Sequence, residues 1–295
     1  VVRGGPNIVF VGHITIDHNI TEGDRYESWG SPAIYMARFV RQNYKLTSTI
    51  LTRRGRDFAC YEDGLHFMPR AASVSQTLVY ENTVRHGVRT QRSFHTQTAT
   101  VPRLTAAAKK VLAAADIVVV APLLANYSAA FVERVLAATS AGCIKILSPQ
   151  GYFRQVAVDA KVHVRNFSVD EAQNIFQHFD VVVYSDEDYP EAIAHSCAWG
   201  KATPRVRLVV TQNSRGATII HNDDLTHVPT VPVPTDEVVD SVGCGDIFTM
   251  ALALSFWRDQ DFLQAVRAGH AAARAKLTTP RFVQVTPSNM RHTNK

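Results

Sequence analysis

The sequence predicts an α/β protein: a three-layer α/β/α sheet carrying a small antiparallel β lid. Three observations point there. Five short Val/Ile-rich segments are apolar on both faces, as buried parallel strands are. Helical patterns lie between them, the alternation of a doubly wound or three-layer sheet. A single stretch breaks the rhythm by alternating polar and apolar residues.

The five strand candidates are Asn7–Gly12, Asp116–Pro122, Ile144–Pro149, Asp180–Ser185 and Val206–Gln212. Among the helices, one follows Leu104; the next has Ser128 as N-cap and Gly142 as its stop. A third opens on Ser168 and Glu171 at capping-box spacing, and a fourth runs to Gly200. Ser75–Ala99, rich in Thr, Val, Tyr and Phe, reads as antiparallel strands joined near His86-Gly87. His13–Ser28 alternates in the same way, and the two stretches together predict the lid (about 13–28 and 75–99) inserted in one domain of residues 1–282. The segment 283–295 reads as a frayed tail.

With 295 residues, 46% of them hydrophobic, the chain can bury a sizeable core. No apolar run approaches the roughly 20 residues of a membrane helix, and the opening apolar run breaks too early for a signal peptide, so a cytoplasmic protein is expected. Cys60, Cys143, Cys197 and Cys244 show no zinc spacing. The net charge of +5 is not gathered into a basic block with aromatic spacing, so no nucleic-acid partner and no membrane partner are expected.

The chemistry concentrates in "DSVGCGDIF", Asp240–Phe248. Gly243-Cys244-Gly245 is a turn of small residues, Asp246 follows, and an apolar helical run comes next. Helix-initial N–H groups lack internal partners and carry partial positive charge. Such a turn suits phosphate, and a carboxylate beside it can take a proton from a hydroxyl. The plain alternative is a loop with Asp246 as a helix cap. A glycine-rich methyltransferase motif is the rival, but that motif opens a fold, whereas here the strands precede the turn.

Asp240-Ser241-Val242-Gly243-Cys244-Gly245-Asp246 resembles the late D-T-x-G-A-G-D signature of the ribokinase-like (PfkB) carbohydrate and nucleoside kinases, with Ser for Thr and Cys for Ala. The resemblance implies a ribokinase-like fold, with Asp246 as catalytic base and an anion hole from Val242, Gly243, Cys244 and Gly245. Other segments follow in the family's order. "GHITIDHNI" places Asp17 as the acid that binds substrate hydroxyls. "WGSPAIYMARFV" resembles the early Gly-Gly motif: Gly30 matches, Ser31 replaces the second glycine, and Tyr35 stands where many sugar kinases have Asn. "DVVVYSDEDYPEA" resembles the strand before N-x-x-E, which implies Ser185 and Asp188 near magnesium through water. "VVTQNSRGATII" resembles the nucleotide-binding turn, with Thr211 and Gly216 matching, Asn213 for a glycine, and Arg215 placed to reach a phosphate or simply solvated. Pro149, Gly151 and Arg154 match a further segment whose role the resemblance does not define.

The activity implied is ATP- and Mg2+-dependent phosphorylation of a hydroxyl on a small polyol: a nucleoside, cyclitol or sugar. Tyr35 and a bulky lid favour a nucleoside or cyclitol, and a homodimer through the lid is expected. The departures at Ser31, Ser185 and Asn213 motivate the alternative, a catalytically silent relative that binds a ligand or regulates.

Overall fold

A computed structural model describes residues 5–59, 65–85 and 88–279, the side chains of 88 and 89 excepted. The His86-Gly87 junction and the tail at 283–295 lie outside the described residues. Nine strands form the main sheet. In spatial order they are β15 (Asp224–Val228), β14 (Ala217–His221), β13 (Arg207–Thr211), β12 (Val181–Ser185), β9 (Ile144–Leu147), β8 (Ile117–Ala121), β1 (Ile8–Gly12), β4 (Ser48–Leu51) and β5 (Leu65–Met68). The pairings from β13 to β5 are all parallel; β14 and β15 extend the sheet antiparallel. All five strand candidates appear, each shortened by one to two residues at an end.

The period of two along each strand sorts its side chains into two cores. Ile8, Phe10, Val119, Ile146, Val183 and Val209 point to one face. There they pack under α1 (Pro32–Tyr44), α6 (Cys244–Asp259) and α7 (Phe262–Leu277). Val9, Val11, Val118, Leu147, Val182 and Val210 point to the other. Their cover is α2 (Ala106–Ala113), α3 (Ala129–Leu136), α4 (Val169–Phe176) and α5 (Ala192–Ala202). Both faces are covered, which is why the strands carry unbroken apolar runs. Helix α6 is apolar almost all round because it lies between the sheet, α1 and α7.

Local signals set the helix starts. Ser128 caps α3 by accepting from Phe131 N, and Ser168 with Glu171 forms a reciprocal capping box on α4. The helix after Ser128 ends at Leu136, so Gly142 is not its stop; that glycine lies in the turn entering β9. None of the described helices is long and apolar enough to cross a membrane.

The lid is a separate four-stranded sheet in the order β3 (Arg25–Gly30), β2 (Thr15–Ile20), β6 (Leu78–Arg85), β7 (Val88–Phe94). Its two outer pairings are antiparallel; the central one, β2 with β6, is parallel because the chain returns to the lid only after α1, β4 and β5. A hairpin of β10 (Arg154–Val156) and β11 (Val162–Val164) meets the lid's β7 edge, where Ser93 N donates to Ala160 O at 2.8 Å.

Candidate active site

The carboxyl ends of the parallel strands, the lid and the N-terminus of α6 enclose a cleft of about 1230 Å³. A ligand site belongs at the carboxyl ends of such strands, and residues just beyond β9, β12 and β13 line it: Ser148, Gln150, Asp188 and Asn213. Asp17, Ser31, Tyr35, Ser185, Thr211, Gly216, Val242, Gly243, Cys244, Gly245 and Asp246 line the same cleft.

Asp246 is the third residue of α6. Burial at the cleft floor pushes its carboxyl up to about 7; the negative charge of Asp188 adds to the rise and Arg154 opposes it. A carboxylate poised near neutrality is suited to general-base work. Beside it, Gly243 holds φ 81°, a left-handed conformation natural to glycine. This turn leaves the amides of Gly243, Gly245 and Asp246 without an acceptor among the described residues. They lie at the positive end of α6, a place suited to an anion. Two expected contributors are corrected: the Val242 amide donates to Asp240 Oδ1 at 3.1 Å, and the Cys244 amide donates to Ser241 O at 3.2 Å. Burial also pushes the Cys244 thiol up to about 11, and its sulfur lies 3.8 Å from Ala273 O, so it is a packed thiol.

One end of the cleft is built on β2 and β3. Asp17 stands opposite Ser28 in the register, and its carboxylate packs on the α-carbon of Gly30: a Cβ there would lie 1.9 Å from Asp17 Oδ2. Gly30 therefore makes room for the acid, and it stands behind Asp17 and does not line the cleft itself. Ser31 adopts φ 123°, ψ 156°, a backbone region almost reserved for glycine, while its hydroxyl caps α1 by accepting from Ile34 N at 3.3 Å. The serine that stands in place of the motif's second glycine thus holds a backbone conformation that glycine adopts freely. Tyr35 rises from α1 between the two halves of the site. Burial pushes its phenol well above the usual range, with Asp17 and Asp246 adding to the effect.

Alternation places Asn19, Asn82 and Gln91 on the lid face that also carries Asp17. They form a ladder: Gln91 Nε2 donates to Asn82 Oδ1 at 2.7 Å, Asn82 Nδ2 to Asn19 Oδ1 at 3.2 Å, and Asn19 Nδ2 to Ser28 Oγ at 3.1 Å. Each amide orients the next, so the ladder itself is uncharged and offers both donors and acceptors beside Asp17.

Elsewhere in the cleft, Val231, Val233, Val238, Ala273 and Leu277 form an apolar wall, with Arg274 and His270 beside it. Val231 and Val238 are exposed. Asn213 holds φ 52° and Gly216 φ 104°, so asparagine replaces the glycine without loss of the turn. Arg215 lies outside this cleft, ion-paired with Asp186, which corrects its placement at a phosphate.

No group of three His, Cys, Asp or Glu among the described residues could hold a metal alone. Asp188 Oδ1 accepts from Gln150 Nε2 at 2.8 Å, Asp188 Oδ2 accepts from Ser185 N at 3.2 Å, and Ser185 Oγ accepts from Glu187 N at 3.2 Å. This donor set fits a hydrated magnesium ion held from outside its water shell and ligated mainly by phosphate oxygens.

Arg154 is a functional candidate whose role the sequence left open. Its guanidinium lies 3.9 Å from Asp188 Oδ1 and 5.8 Å from the Tyr80 ring, and its charge acts on Asp246. The signal for it was the Pro149, Gly151, Arg154 spacing.

Residues 67–287 match the family described as "pfkB family carbohydrate kinase". Solved structures of the same fold include a pyrophosphate-dependent kinase in the ribokinase family, complexed with a pyrophosphate analog and myo-inositol. It is 16% identical, with TM-score 0.72, over 94% of this chain and 97% of that one. A microbiome-derived acarbose kinase is 17% identical, with TM-score 0.68, over 95% of each chain. Arabidopsis thaliana ribokinase, complexed with ribose and ATP, is 16% identical, with TM-score 0.65, over 94% of each.

Proposed function

The chain belongs to the pfkB family of carbohydrate kinases, phosphotransferases with a hydroxyl acceptor, and on that premise we propose that it moves the terminal phosphoryl group of ATP to a cyclitol or nucleoside with Asp246 as base. The observation that carries this reading is the meeting of a carboxyl raised to about 7 with three unpartnered amides at one helix N-terminus.

Asp17 orients the acceptor by accepting from two of its hydroxyls. Asp246 removes the proton from the hydroxyl that attacks. The new O–P bond forms as the bond to the leaving phosphate breaks, and the proton stays on Asp246 until solvent takes it. Charge developing on the transferred group is met by the amides of Gly243, Gly245 and Asp246, with Arg154 at the side. Magnesium, held through water by Asp188 and Ser185, would neutralise the phosphates. The lid and the β10–β11 hairpin exclude water, which would otherwise take the phosphoryl group.

The adenine base suits the Val231–Val238 wall, a surface that pyrophosphate alone would leave exposed. The amide ladder suits a neutral acceptor with several hydroxyls, and the Tyr35 ring suits a flat or cyclic one. Of the similar structures, one contains myo-inositol and one ribose. Homodimerisation through the lid belongs to the same proposal: β3 is the edge of its sheet, and sedimentation of the pure protein tests it.

A phosphotransfer screen of ATP and pyrophosphate against cyclitols, nucleosides and sugars tests the reading. Transfer from ATP to a cyclitol or nucleoside is expected. Transfer from pyrophosphate alone, or to none of the acceptors while ATP still binds, would overturn it; the latter result would favour a binding or regulatory protein.

A further inference from the structure

Lys276 sits in the last turn of α7, and its side chain is 3% exposed; that of Asp240, its ion-pair partner, is 8% exposed. The ammonium holds Asp240 twice: Nζ donates to Oδ2 at 2.8 Å and to the Asp240 carbonyl oxygen at 3.1 Å. Asp240 Oδ1 in turn accepts the Val242 amide. The Val239 and Asp240 amides both donate to Leu277 O, at 2.8 and 3.3 Å. The end of α7 thus grips the strand of chain that leads into the phosphate hole. Neither Lys276 nor Asp240 lines the cleft, so neither contacts a ligand there.

An isolated pair buried this deeply is weak support for stability, since desolvation cancels much of the attraction. Its position suggests another use. Asp240 is three residues from Gly243, whose amide has no acceptor among the described residues. Without Lys276, the Asp240 side chain would keep only the Val242 amide as a partner, and its charge would favour turning toward the nearby amides of the α6 N-terminus.

We propose that Lys276 is a positioning residue for phosphoryl transfer: its ammonium restrains Asp240 and so keeps the Gly243, Gly245 and Asp246 amides open to the donor's terminal phosphate. The proposal rests on the phosphotransfer reading above. It predicts that cutting the side chain back leaves a cavity in which a small free cation restores the hole.

Pyrophosphate, which presents the same anionic groups without a nucleoside, is titrated calorimetrically into the wild type and Lys276→Ala. Ammonium or the larger tetramethylammonium is the sole monovalent cation. Wild-type affinity is expected to be the same in both salts. Lys276→Ala is expected to bind about tenfold more weakly in tetramethylammonium and to recover in ammonium. Equal binding by the wild type and the variant, or weakened binding that ammonium does not restore in a folded variant, overturns the proposal. If Lys276→Ala does not fold, the neutral pair Lys276→Met with Asp240→Asn replaces it. That pair has no carboxylate to fill the hole, so it is expected to bind within about threefold of wild type and without a cation response; a loss of about tenfold or more overturns the proposal. A wild type that binds no pyrophosphate and transfers no phosphoryl group contradicts the phosphotransfer reading instead.

Discussion

The ring of Tyr35 packs directly on the α-carbon of Gly243: a Cβ added there would lie 2.9 Å from both Cγ and Cδ1 of the tyrosine. Helix α1 and the Gly243 turn are therefore in contact. Gly243→Ala must both strain a left-handed backbone and push Tyr35 aside, so it is expected to cost about 1–2 kcal/mol of stability and most of the turnover. Tyr35→Ala relieves only the clash. A double-mutant cycle is expected to show a coupling of at least about 0.5 kcal/mol; strictly additive losses would mean that the two residues act separately.

The electrostatics of Asp246 predict a pH profile. As a base it must be ionised, so kcat/KM should fall as pH drops through about 7, the value to which burial and Asp188 raise the carboxyl. Asp188 raises that value and Arg154 lowers it. Asp188→Asn should therefore move the acid limb to lower pH, and Arg154→Met should move it to higher pH. Both shifts are read from initial rates across the pH range, independent of the amplitude lost. Shifts in the same direction would separate Asp246 from the limb.

Ser31 carries strain that glycine would relieve. A conformation of this kind costs about 1–3 kcal/mol, glycine is nearly as good an N-cap, and its freedom in the unfolded chain takes back about 0.4–1 kcal/mol. Ser31→Gly is expected to gain about 1 kcal/mol, and Ser31→Ala, which keeps the strain and loses the cap, to lose about 1 kcal/mol. Chemical denaturation measures both.

The amide ladder of the lid predicts control over the acceptor. Asn82→Leu breaks its joints with Gln91 and Asn19 together. It is expected to raise the acceptor KM about tenfold, the scale of a lost polar contact, and to leave the KM for ATP unchanged. NMR of the phosphorylated product reports whether the same hydroxyl is still chosen; a change in the ATP term instead would place the ladder elsewhere in the mechanism.

The sheet and the late turn were legible because their signals are local. Apolar runs such as Ile117–Ala121 need no partner to be recognised, and Gly243-Cys244-Gly245-Asp246 is contiguous. Ser128 and Ser168 marked helix starts for the same reason. What stayed hidden depends on distant pairing. The parallel register of β2 with β6 joins strands separated by α1 and two sheet strands. Lys276 meets Asp240 across 36 positions, and the amides of Val242 and Cys244 have partners that only the folded turn supplies. The motif of Arg215 left phosphate contact and solvation both open because Asp186, which holds it, sits on another loop. Gly142 failed as a helix stop because the chain had already left the helix in a right-handed turn at Ala137.

The central claim is that Asp246 removes the acceptor's proton, and Asp246→Asn tests it most directly. Asparagine keeps the shape and loses the base. It also removes a carboxylate whose ionisation the fold opposes, so above pH about 7 the variant should melt no lower than the wild type. With fold and ATP affinity verified by thermal melting and calorimetry, its kcat for phosphotransfer is expected to fall by about 100-fold or more. Turnover close to that of the wild type in the folded, ATP-binding variant would contradict the account.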